Sequence, residues 1–197
     1  MHPYATDSVE RSRVPILLVV ICIPIAWVIR HYCEGLQLAL PWWFDAPSVL
    51  GFYGVFYFAF DRALWKLRLL RTLGLVEVPN LNGKWQGTLM PSGAKREREV
   101  TLEIQQTWSA ISIRLRTKHS ASKSMIATIL LAGKLDDVLS YQYWNEPKPG
   151  VAFDMHTHRG TAWLTLSSDQ TRLEGEYSTG TGQKNFGTIR VSRPEKP

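Results

Sequence analysis

The run from Leu139 to Asn145 carries the side chains best suited to hold a small polar ligand. Alternate residues of a strand share one face, so Leu139, Tyr141, Tyr143 and Asn145 would line one side together. The run Leu173 to Thr179 presents Leu173, Gly175, Tyr177 and Thr179 in the same way. Aromatic planes stack on nucleobases, and amides and hydroxyls hydrogen-bond to base edges. Arg114, Arg116, Lys184 and Arg190 offer cations to neutralise phosphates. Taken singly, a strand tyrosine is more often a core residue with an exposed hydroxyl, and a strand arginine more often part of a solvated outer face. The chemistry on offer is binding.

Catalytic constellations are missing from the sequence. It has no Walker loop, no glycine fingerprint between a strand and a helix, no CxxC and no HExxH. His156 and His158 form an HxH pair that a strand would place on one face, but Asp154 is the sole further ligand there. Neither a metal site nor enzymatic activity is expected.

The elements that must position these residues read as strands. Val100, Leu102 and Ile104 alternate with polar neighbours, as do Ile111, Ile113 and Leu115. Further strands are predicted at Gly83 to Leu89, Met125 to Leu131, Val138 to Trp144, Val151 to His156, Thr161 to Leu166, Leu173 to Ser178 and Phe186 to Val191. Turn chemistry separates them at Pro91-Ser92-Gly93, Gly133, Pro147 to Gly150, Arg159-Gly160 and Gly180-Thr181-Gly182. About eight short strands with one apolar face predict a small antiparallel up-and-down β-barrel, closed so that no edge remains.

Upstream the solvent changes. Of the 22 aromatic residues in this 197-residue chain, 13 lie before Thr72, whereas 28 of its 40 charged residues lie from Thr72 onward. Val14 to Ile29 is uncharged and Ala46 to Phe60 is strongly apolar; snorkelling of Arg62 and Lys66 extends the second stretch to about Leu70. Trp42, Trp43 and Trp65 would form an interfacial belt. The predicted fold is therefore a membrane-anchored all-β protein. A two-helix transmembrane hairpin occupies 1–71, with helices at about 14–30 and 46–70; a linker follows at 72–82 and the barrel at 83–197. Arg11 and Arg13 before the first helix, with Lys66, Arg68 and Arg71 near the end of the second, put both termini in the cytoplasm. The barrel region has no cysteine, as suits a reducing compartment. The net charge of +6 leaves the barrel only modestly basic, which fits a small anion better than a long nucleic acid.

With Pro79 to Gly87 (PNLNGKWQG), Tyr141 to Pro147 (YQYWNEP), His158-Arg159-Gly160-Thr161 and Leu173 to Gly180 (LEGEYSTG), the chain resembles a known family. It is similar to the SMODS-associated effectors with two transmembrane helices and a β-strand-rich domain, the membrane effectors of bacterial CBASS antiphage defence. The resemblance implies that a partner cyclic-nucleotide synthase makes a cyclic dinucleotide, that the barrel binds it, and that the protein oligomerises and disrupts the bacterial inner membrane. It further implies a pocket at Tyr141, Tyr143, Asn145, His158, Thr161, Tyr177 and Thr179, with Trp85 plugging the barrel. Where the family often has an arginine just after the Tyr-x-Thr segment this chain has Thr181, and Lys184 is the nearest cation. Two other readings stand beside it: a membrane-anchored barrel binding an apolar ligand, since Gly83-Lys84-Trp85 is also similar to lipocalins, and a scaffold without a ligand.

Overall fold

The computed structural model describes residues 1–36, 45–93, 96–131, 136–149, 156–180 and 186–194. They form two compact units, one of Ser8–Glu77 and one of Met1–Asp7 with Val78–Pro197.

In the helical unit, α1 runs over Glu10–Gly35, through Pro15 and Pro24. Val14, Leu18 and Cys22, spaced four apart, form its buried stripe, and α1 packs on α2, Asp45–Arg62. Between Val14 and Ile29 the rest of α1 is bare hydrocarbon: Ile16, Val20, Ile23 and Trp27 are all exposed. A helix apolar outside its packing stripe is suited to lipid rather than water. Among the described residues, α1 is the one helix long and apolar enough to cross a bilayer. The second predicted helix does not run unbroken to Leu70. Ala63 leaves helical geometry at φ −133°, a 3-10 turn takes Leu64–Lys66, Leu67 is extended, and a short α3 follows at Arg68–Thr72. Trp42 and Trp43 lie outside the described residues.

The second unit is a closed eight-stranded barrel. Its walls are β3 (Gly83–Pro91), β4 (Arg98–Gln106), β5 (Ala110–Arg116), β6 (Ser120–Leu130), β7 (Val138–Pro147), β8 (His158–Leu166), β9 (Arg172–Thr179) and β10 (Phe186–Ser192). Each of these pairs antiparallel with its neighbours in sequence, and β10 closes the circle on β3. Strand alternation turns Trp85, Leu102, Ile104, Ile113, Leu164 and Leu173 into a fully buried core.

Two short strands precede the helices: β1 (His2–Pro3), which pairs with β5, and β2 (Ala5–Thr6), which pairs with β6. The segment assigned to the helical hairpin from sequence thus starts inside the barrel unit.

β6 begins five residues before the predicted Met125, because its inward positions there are Ser120, Ser122 and Ser124, which give no hydrophobic alternation. Of the predicted strand Val151 to His156, residues 151–155 lie outside the described residues, and His156 precedes β8 without strand pairing.

Trp85 seals one end of the barrel. Its indole N–H donates to the Leu81 carbonyl at 3.0 Å, and the Arg193 guanidinium lies 4.4 Å from its ring centre. Arg193 in turn donates to the carbonyls of Asn82 and Asn80. Burial among these groups lowers the arginine's pKa from its usual value. Among the described residues, the other end is open.

Candidate functional site

The open end leads to a cavity of about 390 Å³ within the barrel, in the size range of small-ligand sites. Its walls come from strand ends: Tyr141, Tyr143 and Asn145 of β7, Tyr177 and Thr179 of β9, and Ser120 and Ser122 of β6. His158 of β8 and Arg98 of β4 complete the rim.

Cross-strand register decides why three large rings fit in one small barrel. Tyr141 is flanked by Ala127 on β6 and Ala162 on β8. Tyr143 faces Gly160, and Tyr177 faces Gly187 and Ala162. These neighbours are small because the rings occupy their space. A Cβ on Gly160 would lie 2.3 Å from the Tyr143 hydroxyl oxygen, and one on Gly187 would lie 2.7 Å from Tyr177 Cε1. Glycine seats of this kind let aromatic rings lie against the backbone.

The rings form a connected group. Tyr141 and Tyr143 have centroids 6.1 Å apart at 54°, and Tyr143 meets His158 edge-on at 6.5 Å. The Tyr143 hydroxyl donates to the Ser178 carbonyl over a long 3.4 Å. The His158 Nδ1 is 3.0 Å from the His156 carbonyl, so Nδ1–H donates and Nε2 is left for another partner.

Burial drives the Tyr141 phenol above its ordinary pKa, and Tyr143 adds to the effect. Burial does the same for Tyr143, with Tyr177 adding. For Tyr177 burial raises the pKa while the Arg98 charge opposes the rise. All three phenols are therefore protonated at neutral pH and can donate hydrogen bonds. The cavity presents phenol donors, hydroxyls, one amide and one guanidinium around aromatic faces. Such a set can stack a base, hydrogen-bond its edge and neutralise an anion.

Most of the residues singled out from sequence come together here: Tyr141, Tyr143, Asn145, His158, Tyr177 and Thr179 all line the cavity. Thr161 does not. Strand parity turns it outward beside the inward Gly160 and Ala162, and it is exposed. Lys184 lies outside the described residues. Arg114, Arg116 and Arg190 are exposed on the outer wall; Arg116 is 3.7 Å from Glu103 and Arg190 3.9 Å from Glu174.

Among the described residues the cation at the mouth is Arg98, which the sequence reading passed over. Its signal was parity, since Arg98 stands two before Val100 on the face continued by Leu102 and Ile104. Ser120 and Ser122 were missed for want of any apolar mark. Among the described residues no group of three His, Cys, Asp or Glu could hold a metal ion, and Asp154 is outside them.

A barrel stoppered at one end, open among its described residues at the other onto a polar aromatic cavity, and joined in sequence to an apolar helix defines a membrane-associated small-molecule receptor. Comparison with known proteins gives the kind. Residues 76–193 match the family model described as Cap15, cyclic dinucleotide receptor domain, and residues 12–66 match Cap15, TM helices. The chain is 35% identical over 155 residues to CD-NTase-associated protein 15 of Yersinia aleksiciae, covering 77% of this chain and 72% of that one. It is 30% identical over 139 residues to the protein of the same name from Staphylococcus schleiferi, covering 68% and 70%. The chain belongs to the Cap15 family of CBASS effectors, and its barrel is the cyclic dinucleotide receptor domain.

Proposed function

We propose that the cyclic dinucleotide enters the open end of the barrel. A base stacks among Tyr141, Tyr143 and Tyr177, Asn145 and the buried serines meet its edge, and Arg98 holds a phosphate at the rim. The observation that carries this reading is the joining of three protonated tyrosines, one amide and one guanidinium in a single cavity. An apolar ligand would leave the buried Asn145 and Ser122 facing hydrocarbon, at a cost of about 1–3 kcal/mol for each polar group left unpaired.

The ligand comes from a partner cyclic-nucleotide synthase, in keeping with the CD-NTase-associated relatives. Its binding drives assembly of several copies in the inner membrane, which then loses integrity. Anchoring in two dimensions raises the effective concentration of neighbours, so a modest differential affinity for the assembled state is sufficient.

Both termini are cytoplasmic on this reading. The loop charges support that, and so does the chain path: β1 and β2 belong to the barrel unit, so the segment before α1 and the barrel after Val78 share one side of the membrane. The chain then crosses an even number of times, and α2 is the return crossing.

The test is calorimetry on the full chain in detergent with adenine–adenine, guanine–guanine and adenine–guanine 3′,3′-linked cyclic dinucleotides, with mass measured by light scattering alongside. Saturable binding with a rise in mass is expected. Binding to none of them would remove the nucleotide reading, and binding without a rise in mass would remove the assembly step.

A further inference from the structure

The barrel wall has one weak seam. β5 and β6 pair directly only at Arg114 with Lys123, Leu115 with Ser122 and Arg116 with Ala121. Below Ser124 the two strands part at a bulge, and the N-terminal segment fills the gap. Unfilled, it would leave two open strand edges.

Side chains fasten the filler along its length. His2 Nε2 and Ser124 Oγ are hydrogen-bonded at 2.8 Å, and the same Ser124 oxygen accepts the Ile113 N–H at 3.0 Å. The buried Tyr4 donates its hydroxyl to the Trp108 carbonyl at 2.8 Å. Asp7 accepts the Leu131 N–H at 2.8 Å. The filler segment His2–Asp7 itself lies outside the matched family regions, which cover residues 12–66 and 76–193.

The same two strands supply Leu115, Ser120 and Ser122 to the ligand cavity. A ligand filling that cavity bears on the three-pair upper part of the seam, while the N-terminal segment holds the lower part. After Asp7 the chain enters α1 within three residues. A slip of one residue along the seam would displace that connection by about 3.3 Å.

We propose that His2–Asp7 is a coupling strand: it completes the receptor barrel and must move against β5 for ligand binding to reach the membrane helices. This rests on the ligand-driven assembly proposed above.

The test uses full-length protein with Pro3→Cys and Ala110→Cys, which are paired across the seam, in a background of Cys22→Ala and Cys33→Ala. Oxidation is expected to give an intrachain disulfide. The oxidised protein should bind the responsive cyclic dinucleotide within about twofold of the reduced one, yet assemble at least about tenfold less at saturating ligand, with reduction restoring assembly. Equal assembly of the oxidised and reduced forms would overturn the coupling. Failure of the disulfide to form would overturn the seated strand itself. If the unmodified protein binds no cyclic dinucleotide, the ligand reading fails and the coupling with it, whereas disulfide formation still reports whether the strand occupies the seam.

Discussion

Replacing Arg98 with alanine tests the ligand reading most directly. Arg98 is the one arginine on the cavity lining among the described residues, and its charge is felt by the Tyr177 phenol. Unit charges about 4 Å apart are worth roughly 1 kcal/mol in water and about 4 kcal/mol at the effective dielectric of a protein surface. Arg98 is exposed, so the lower part of that range applies, about 1–2.5 kcal/mol, which is a loss of about 5- to 70-fold in affinity. Calorimetry on the full chain at two salt concentrations reads both the loss and its origin. Binding by the unsubstituted protein should weaken with salt, and Arg98→Ala should show a shallower salt dependence because one phosphate contact is gone. Arg98→Lys should recover part of the affinity, keeping the charge but not the two-pronged geometry. Arg190→Ala is the control, since Arg190 stands on the outer wall beside Glu174. Unchanged affinity in Arg98→Ala, or an equal loss in Arg190→Ala, would refute the placement of a phosphate at the rim.

Other consequences follow from the same geometry. Gly160→Ala puts a methyl 2.3 Å from the Tyr143 hydroxyl oxygen; thermal melts should show a loss of about 1–3 kcal/mol, and affinity should fall as the ring leaves its seat. The three tyrosines have phenol pKa values raised by burial, so donation to the ligand is present below those raised values and lost only above them. Affinity measured from pH 8 to 9.5 should stay flat, and a fall across that window would show an ionising phenol at the contact. Trp85→Ala empties the stopper of the closed end, where the indole is fully buried; chemical denaturation should record a loss of about 3–5 kcal/mol.

Much of the barrel was legible because its closed end alternates cleanly. Val100, Leu102 and Ile104 on β4 and Leu139, Tyr141 and Tyr143 on β7 turn inward at every second position. The same rule puts Tyr177 and Thr179 in one wall. It failed at β6 for two separate reasons. The serines there carry no apolar signal, and the bulge between Ser124 and Ile126 leaves Met125 and Ile126 both facing out, so parity reverses within one strand. The N-terminal strand was illegible for another reason. Residues 2–6 are too few to show a period, and what they pair with is decided by a gap between strands more than a hundred residues away.

The inward positions that lack an apolar mark have a common physical origin. A closed barrel needs apolar side chains only where it must exclude water, and at its open end the inward positions are free to serve a ligand. Along β4 the inward face passes from Ile104 and Leu102 through Val100 to Arg98; along β7 it passes from Leu139 through the tyrosines to Asn145. Periodicity stays at two while hydrophobicity fades, and the residues where it fades are those lining the cavity. A polar residue that keeps the parity of an apolar run is therefore placed by the fold as firmly as its neighbours, with its chemistry left over for binding. Arg98 on β4 and Asn145 on β7 meet that criterion. Thr161 fails it by a single position, and that one step carries it from the cavity to the solvent.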